Sequence, residues 1–465
     1  MTVGPNTQIS ELLRATELLN GAVKNIINQW TKDGGEGKAI AKTGMVLPPR
    51  TSYSAQKTIL GAIGKIQELT VIPQVRLIEM SEQFYESRAL HIAAEHRIAD
   101  KLEGHGDYGL PIEDLGKETG LHPGKLCRIM RLLSSSGIFR EVNPETFANN
   151  RISSVLVHNE SLRSYLMVFS ICHFKVANSL PAALRDPVKG HSSKVNEAAF
   201  NISHDTDTPF FEWMETKVPS ADGKSEEPRE ELTLFSDGMV GVGKVTSTAL
   251  VSDYPWQEVG NGTVVDVGGG VGGFALELAN QYPDLNFVIQ DRAEVIEKGI
   301  ELWNREKPEA LKSGRAKLKA EDFFQVQPVQ GAEVYFLRGI MHDWPDHESI
   351  KILREIVPSM TEKSRLVIAE IIVNTTLGGP EIQNAPWPLA ANYGLYPRYT
   401  HQRDLVMMSL FNSMERTLDQ FRTITQSAGL VIEKIHECRS QTSLIECRLP
   451  RASDMGAPTL GSYLG

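Results

Sequence analysis

Cysteine is scarce: four in 465 residues, Cys127, Cys172, Cys438 and Cys447, with no CxxC spacing. Neither a disulfide framework nor a structural metal site is indicated. Positive charge is in deficit, with a formal net charge of −10. That balance argues against a protein built to neutralise nucleic-acid phosphates or to lie on anionic lipid. No apolar run approaches the length of a membrane span, and the opening Met1-Thr2-Val3-Gly4-Pro5 lacks the basic and apolar regions of a signal peptide. A cytoplasmic location is expected, with no membrane partner. The apolar content of 41% is ordinary for a folded protein, and the length allows two or three domains.

What is present centres on Val264-Val265-Asp266-Val267-Gly268-Gly269-Gly270-Val271-Gly272-Gly273 and the following Phe274-Ala275-Leu276-Glu277-Leu278-Ala279. The β-branched run without polar alternation predicts a strand buried on both faces, and the run after the glycines has helical spacing. Glycine suits a turn whose dihedrals resist a Cβ and whose bare backbone must touch a ligand. Gly268, Gly270 and Gly273 satisfy the dinucleotide fingerprint. Gly268, Gly270 and Gly272 equally satisfy the looser pattern of S-adenosylmethionine enzymes, so the motif alone does not decide. Asp291 ends the next predicted strand, Asn286 to Gln290, at the offset where an acid binds ribose hydroxyls. The same glycines would also serve tight strand-to-helix packing.

In chain order, Ile9 to Trp30 predicts an amphipathic helix, and Ala55 to Leu102 is almost continuously helical apart from Pro73. A helix at Ile112 to Thr119, a second opened by Pro123, and strands at Gly137 to Val142 and Thr146 to Ala148 have the spacing of a winged helix-turn-helix. Lys125, Arg128 and Arg131 on its second helix raise DNA binding, but acids are interleaved in an acidic chain, so packing or dimerisation is the favoured role. Thr216 to Glu231 shows no period and reads as a solvated loop; Phe235 to Leu250 returns to helix. From there strands and helices alternate, ending in a hairpin at Gly429 to His436 and Ser443 to Arg448. The fold class is α/β, a doubly wound, mostly parallel sheet with an antiparallel end. Four divisions follow: residues 1–150 helical and winged-helix, 151–250 connecting helices, 251–450 the wound sheet, and 451–465 a tail. Gly268, Asp291, Asp322, Arg338, His342 and Glu370 all fall at the carboxyl ends of strands, where such sheets bind ligands.

With these residues in hand, a resemblance can be named. Leu337-Arg338-Gly339-Ile340-Met341-His342-Asp343-Trp344-Pro345-Asp346, the glycine stretch and Asn412-Ser413-Met414-Glu415-Arg416-Thr417 resemble the class I S-adenosylmethionine-dependent O-methyltransferases of plant and fungal small-molecule metabolism. The likeness spans roughly Ala89 to Leu449. It implies a seven-stranded Rossmann-like sheet and a homodimer whose winged-helix segment is the dimerisation module and helps close the partner's active site. It also implies that Gly268, Gly269 and Gly270 approach the methionine part of S-adenosyl-L-methionine, that Asp291 binds its ribose, and that Asp322 and Phe323 hold the adenine. Arg338, where plant members usually carry lysine, would line the cofactor side. His342 would be the general base, flanked by Glu370 and Glu415. Met407 and Met408 would sandwich an aromatic or polyketide-derived substrate, and Asp343 would contact it.

The chemistry asks for such residues on its own account. Methyl transfer from a sulfonium is an in-line displacement, so a nucleophilic oxygen must be brought close and stripped of its proton. Ionising a phenol of pKa ~10 at pH 7 costs about 4 kcal/mol at roughly 1.36 kcal/mol per unit, whereas an alcohol near ~16 costs about 12 kcal/mol. One histidine therefore points to a phenolic or enolic hydroxyl. A carboxylate beside the ring fixes its tautomer and stabilises the imidazolium.

Other readings stay beside these. His342-Asp343 would merely precede a helix capped by Asp346, Glu415 would precede a capping box at Thr417 and Gln420, and the two methionines would be ordinary core. Glu370 in an apolar strand needs a partner. The rival activity on the same scaffold is a pericyclase or cyclase, closing rings or dehydrating without methyl transfer, with Arg338 and His342 polarising the substrate. A dehydrogenase is disfavoured because no separate catalytic domain follows the glycines.

Overall fold

The computed structural model describes residues 5–33, 47–220, 222–379 and 383–456. By their contacts the residues form two units, one of Met1–Ile66, Ser192–Ala198 and Lys244–Gly465, the other of Gln67–His191 and Ala199–Gly243. The division drawn from sequence at residue 150 does not coincide with this one, because the first two helices cluster with the sheet. Ala62 of helix Arg50–Thr70 and Leu18 and Leu19 of helix Pro5–Lys32 pack with Leu389 and Tyr393. These are the apolar helical faces that needed something to bury against.

The first unit is built on seven strands: β1 Thr263–Val267, β2 Asn286–Asp291, β3 Ala316–Ala320, β4 Val334–Arg338, β5 Arg365–Ile371, β6 Val431–Glu437 and β7 Thr442–Arg448. Their order is β6-β7-β5-β4-β1-β2-β3. β1 to β5 run parallel, while β7 pairs antiparallel with both β5 and β6. The doubly wound sheet with an antiparallel end is thus the observed fold. Alternate residues face opposite layers, and both layers are apolar, which is why the strands lack polar alternation. Val264, Phe336 and Val367 pack with Trp256, Phe274 and Trp303 on one side. Val265, Tyr335, Leu337 and Ile368 pack with Met341, Ile352 and Phe421 on the other.

Register decides where the functional edge lies. Val267 pairs with both Leu337 and Gln290, and Ala369 pairs with Arg338. The last residues of β1, β2, β4 and β5 therefore end side by side, and the residues that follow them share one rim.

The second unit holds the winged-helix pattern, with helices Ile112–Thr119 and Pro123–Ser135 and strands Phe139–Asn143 and Thr146–Asn149. A third short strand, Leu110–Pro111, completes its sheet. Leu115, Leu126, Met130, Phe139 and Phe147 form its core. Arg131 pairs with Glu145 at 3.1 Å and faces Glu141 at 4.0 Å, so one of the three cations on that helix is already neutralised.

Two expectations change. Part of the supposed loop at 216–231 is a hairpin, Lys217–Pro219 with Glu226–Pro228, whose three-residue strands are too short to show a period. The helix after it starts at Glu230, where Glu230 and Glu231 in the first turn favour its positive end. One stretch also reaches the length and mean hydropathy of a membrane span by composition alone: Glu160–Arg185, 26 residues at 1.2, with 33% of its most apolar window buried. Its parts pack against helices Phe84–Glu95 and Ala199–His204 of the same unit.

Phe336 carries much of the first layer: its ring stacks on Phe274 at 4.5 Å and meets Trp256 at 5.8 Å. Phe336→Ala should lower the unfolding free energy by about 3–5 kcal/mol in a denaturant titration. A loss no larger than that of Tyr108→Ala, at an 89% exposed residue, would mean that this aromatic layer does not hold the sheet together.

Candidate active site

The chain leaves β1 through Gly268, whose φ of +69° suits glycine and whose Cα faces Ile340 so closely that a Cβ would lie 2.5 Å from its Cδ1. Gly270 also has positive φ, +61°, and a Cβ there would meet nothing within 4 Å. Its N–H donates to Asp291 Oδ2 at 2.8 Å, tying the glycine turn to the end of β2. A cleft opens beside this turn, lined by Val267, Gly268, Gln290, Asp322 and Phe323 among others. Its wall is stiffened by a reciprocal amide pair, Gln290 with Gln327, two hydrogen bonds of 2.8 Å.

On the other side of Ile340 lies the histidine. A short helical turn, Met341–Asp343, follows β4 and carries His342. Glu370, one residue from the end of β5, accepts at Oε1 from the N–H groups of Ile340 at 2.9 Å, Met341 at 2.7 Å and His342 at 3.3 Å. Such charge-assisted bonds to successive amides offset the desolvation of a carboxylate inside an apolar strand. His342 Nδ1 lies 3.0 Å from Glu415 Oε1 and 3.4 Å from Glu370 Oε2, and its Nε2 lies 3.5 Å from Asp343 Oδ1. The His342 side chain keeps 14% of its surface exposed, whereas those of Glu370 and Glu415 are buried.

Charge in this cluster is unbalanced. Burial alone would push the imidazole down, but Glu370, Glu415 and Asp343 outweigh it and take the ring up to about 10. Burial lifts Glu370 and Asp343 above the ordinary carboxylate range, against the pull of the ring. The ligand-type atoms of His342, Glu370 and Glu415 lie within 4.8 Å of one another, a spacing that suits a cation. The amide donors on Glu370 already supply positive dipole ends there.

The sequence-derived residues thus fall into two adjoining groups. His342, Glu370, Glu415 and Asp343 are together, and Gly268, Gly269, Gly270 and Asp291 form the other, with Asp322 and Phe323 lining the same cleft. The Asp322 carboxylate shapes its own loop, accepting from Phe324 N–H at 2.9 Å and from Gln325 Nε2 at 3.4 Å. Arg338 turns to the helix Glu230–Asp253, donating to Ser247 Oγ at 2.8 Å and to Thr246 Oγ1, with its guanidinium 5.5 Å from the Phe274 ring centre. Met407 is buried and Met408 half-buried on helix Arg398–Phe411. As neighbours on a helix they point roughly 100° apart. The capping box at Thr417 and Gln420 is present. Asp346 is not a cap: Pro345 precedes the helix, and the Asp346 carboxylate binds Arg416.

Two residues escaped assignment. Asp266, in β1, is buried with Oδ2 lacking a hydrogen-bond partner. Burial pushes its pKa up to about 7 against the pull of Arg338. An acid inside an apolar strand was the signal, the same one that marked Glu370. Arg416 is fully buried under the histidine turn, and no local pattern marks it.

The chain is similar to known proteins along most of its length. The O-methyltransferase domain family matches residues 220–431. The O-methyltransferase dimerisation domain matches residues 78–159. The O-methyltransferase gedA of Aspergillus terreus is 43% identical over 467 aligned residues, 94% of this chain and 96% of that one. Solved structures similar in fold include LepI in complex with SAM, with a TM-score of 0.68 at 22% identity over 85% of this chain and 94% of that one. Another, described as a pericyclic reaction enzyme, has a TM-score of 0.69 at 21% identity over 92% of this chain and 99% of that one. By its likeness along nearly the whole length, the chain belongs to the O-methyltransferase family.

Proposed function

We propose that this protein, as a homodimer, moves a methyl group from S-adenosylmethionine to a phenolic or enolic hydroxyl of an aromatic or polyketide-derived small molecule, with His342 as general base. The observation that carries the reading is the placement of an imidazole braced by Glu415 at 3.0 Å, two residues from the Ile340 side chain that packs on the glycine turn.

The residues around that turn fit the cofactor. Open space beside Gly270 admits a ligand onto bare backbone. Asp291, whose Oδ2 accepts from Gly270 N–H and Oδ1 from Arg292 N–H, keeps a second lone pair on each oxygen for ribose hydroxyls, and Phe323 lines the cleft beside Gly268 for the adenine. Asp266 offers a buried, unpartnered carboxylate oxygen near the same turn. When bound, S-adenosylmethionine supplies an electrophilic methyl group on a cationic sulfur. Gly268 and Gly269 would hold its methionine part, and Arg338 offsets the charge of Asp266 and Glu277. His342 Nε2 takes the hydroxyl proton, and Glu415 and Glu370 stabilise the imidazolium through Nδ1. Asp343 would contact the substrate, and Met407 and Met408 would clamp its ring.

The raised pKa of His342 favours a second reading. A ring that is cationic at neutral pH is an acid at rest, the property a dehydrating or pericyclic ring closure would use. Methyl transfer then requires the neutral ring, a fraction that grows as pH rises. The turnover of a phenol should therefore climb from neutral pH towards about 10.

Labelled S-adenosylmethionine offered with a panel of phenols and enols should yield methyl-labelled product. His342→Ala should cut turnover about 10²–10⁴-fold while calorimetry finds cofactor affinity unchanged. Product of unchanged mass, formed equally by cofactor-stripped protein, would replace this reading with the second. In the cofactor-free protein, NMR of the His342 ring should show the cation persisting above pH 8, to about 10, and Glu415→Gln should move the titration to lower pH. A ring that titrates at its ordinary value in the unsubstituted protein would contradict the carboxylate cage.

A further inference from the structure

Three buried groups surround the turn that carries His342, and only two of them touch the ring. Arg416 is the third: fully buried, it donates from Nη1 to Met341 O, from Nη2 to Trp344 O at 2.7 Å, and from Nε to Asp346 Oδ1 at 2.9 Å. Glu370 holds the amide side of residues 340–342, and Arg416 holds carbonyls from the same turn. The turn's peptide dipoles are thus gripped from both ends, by a carboxylate on donors and by a guanidinium on acceptors.

Arg416 is itself anchored. Its carbonyl accepts from Val373 N–H at 2.9 Å, and it forms an isolated parallel bridge with Ile372, directly after β5. The end of one strand therefore supplies Glu370 directly and fixes Arg416 through its backbone. Because Arg416 follows Glu415, one dipeptide sets both the turn's height and the position of the Nδ1 acceptor.

We propose that Arg416 is the positioning residue of this site: by clamping Met341 O, Trp344 O and Asp346 in one plane it sets the distance between the His342 ring and Glu415, and with it the basicity and aim of Nε2. The proposal rests on the reading of His342 as the base. Lysine cannot replace it, since a single ammonium does not present the planar fork that reaches two carbonyls and a carboxylate together.

Arg416→Lys keeps the buried charge and loses the fork. Its turnover should fall about 10–100-fold, the scale of a catalytic group displaced by about 1 Å. Calorimetric affinity for S-adenosylmethionine should be unchanged, and the NMR titration of His342 should move towards the ordinary histidine value. Asp346→Ala, at a side chain 46% exposed, removes only the outer partner of the clamp and should shift both readouts the same way by less. The proposal is overturned if both variants fold and leave turnover and the His342 titration where they were. It is overturned equally if turnover and cofactor affinity fall together with no change in that titration, which is the mark of a packing residue. The titration needs no turnover, so it tests the clamp even if His342→Ala proves fully active and the base assignment falls.

Discussion

The carboxylate of Glu370 accepts three successive backbone N–H groups from the turn after the neighbouring strand, and the site depends on that contact. It works only because β5 lies parallel to β4 in a register that pairs Ala369 with Arg338. One residue further along, the acid reaches the place where β4 has ended and its chain must turn. The amides of Ile340, Met341 and His342 would otherwise point into a layer of Leu337, Met341 and Ile352 with no acceptor. Satisfying them with a charge fixes the turn, and the turn fixes the ring.

The same register accounts for the nearness of the glycine turn. β1 pairs with β4 on its other side, so Gly268 and Ile340 leave adjacent strands at the same level and meet. A side chain at residue 268 would force the Ile340 side chain aside. Sheet geometry, rather than any long-range contact, brings the two halves of the site together.

Much of this was legible in the sequence because it depends on local pattern. Buried strands announce themselves as β-branched runs, the glycine turn by composition, and Glu370 by being an acid where none is cheap. The hairpin at 217–228 was not legible, since three-residue strands carry no period. The destination of the first two helices was hidden for another reason: an apolar stripe tells that a helix is covered and not by what, and here the cover lies at Leu389 and Tyr393. Arg416 was hidden because a guanidinium's partners are backbone carbonyls about seventy residues away in sequence, and carbonyls have no letter in a sequence. Asp322, which the family pattern gives to a ligand, also shapes its own loop through Phe324 N–H and Gln325 Nε2, bonds that no sequence pattern marks.

Three acids around one imidazole, offset in part by Arg403 Nε at 3.9 Å from Glu415 Oε1, make a negative site inside an acidic chain, and Asp266 and Asp291, both raised by burial, extend that field towards the glycine turn. A field of that sign has one consequence for a ring and the opposite one for a reacting oxygen. It holds a proton on the ring, and it resists the build-up of negative charge on a hydroxyl losing its own. Methyl transfer in such a place would need positive charge to enter with the reactants, and the cationic sulfur of the proposed donor would bring it. The carboxylates would thereby link the two halves of the site energetically as well as spatially: they would favour a cationic donor, and the donor's charge would in turn make the imidazole easier to deprotonate. Ring closure without transfer would use the same field in the reverse sense, with the proton kept on the ring. The difference between the two chemistries would then lie in which cation the cluster holds when the substrate arrives, and Glu370 and Glu415, which raise the ring's basicity, would be where that choice is made.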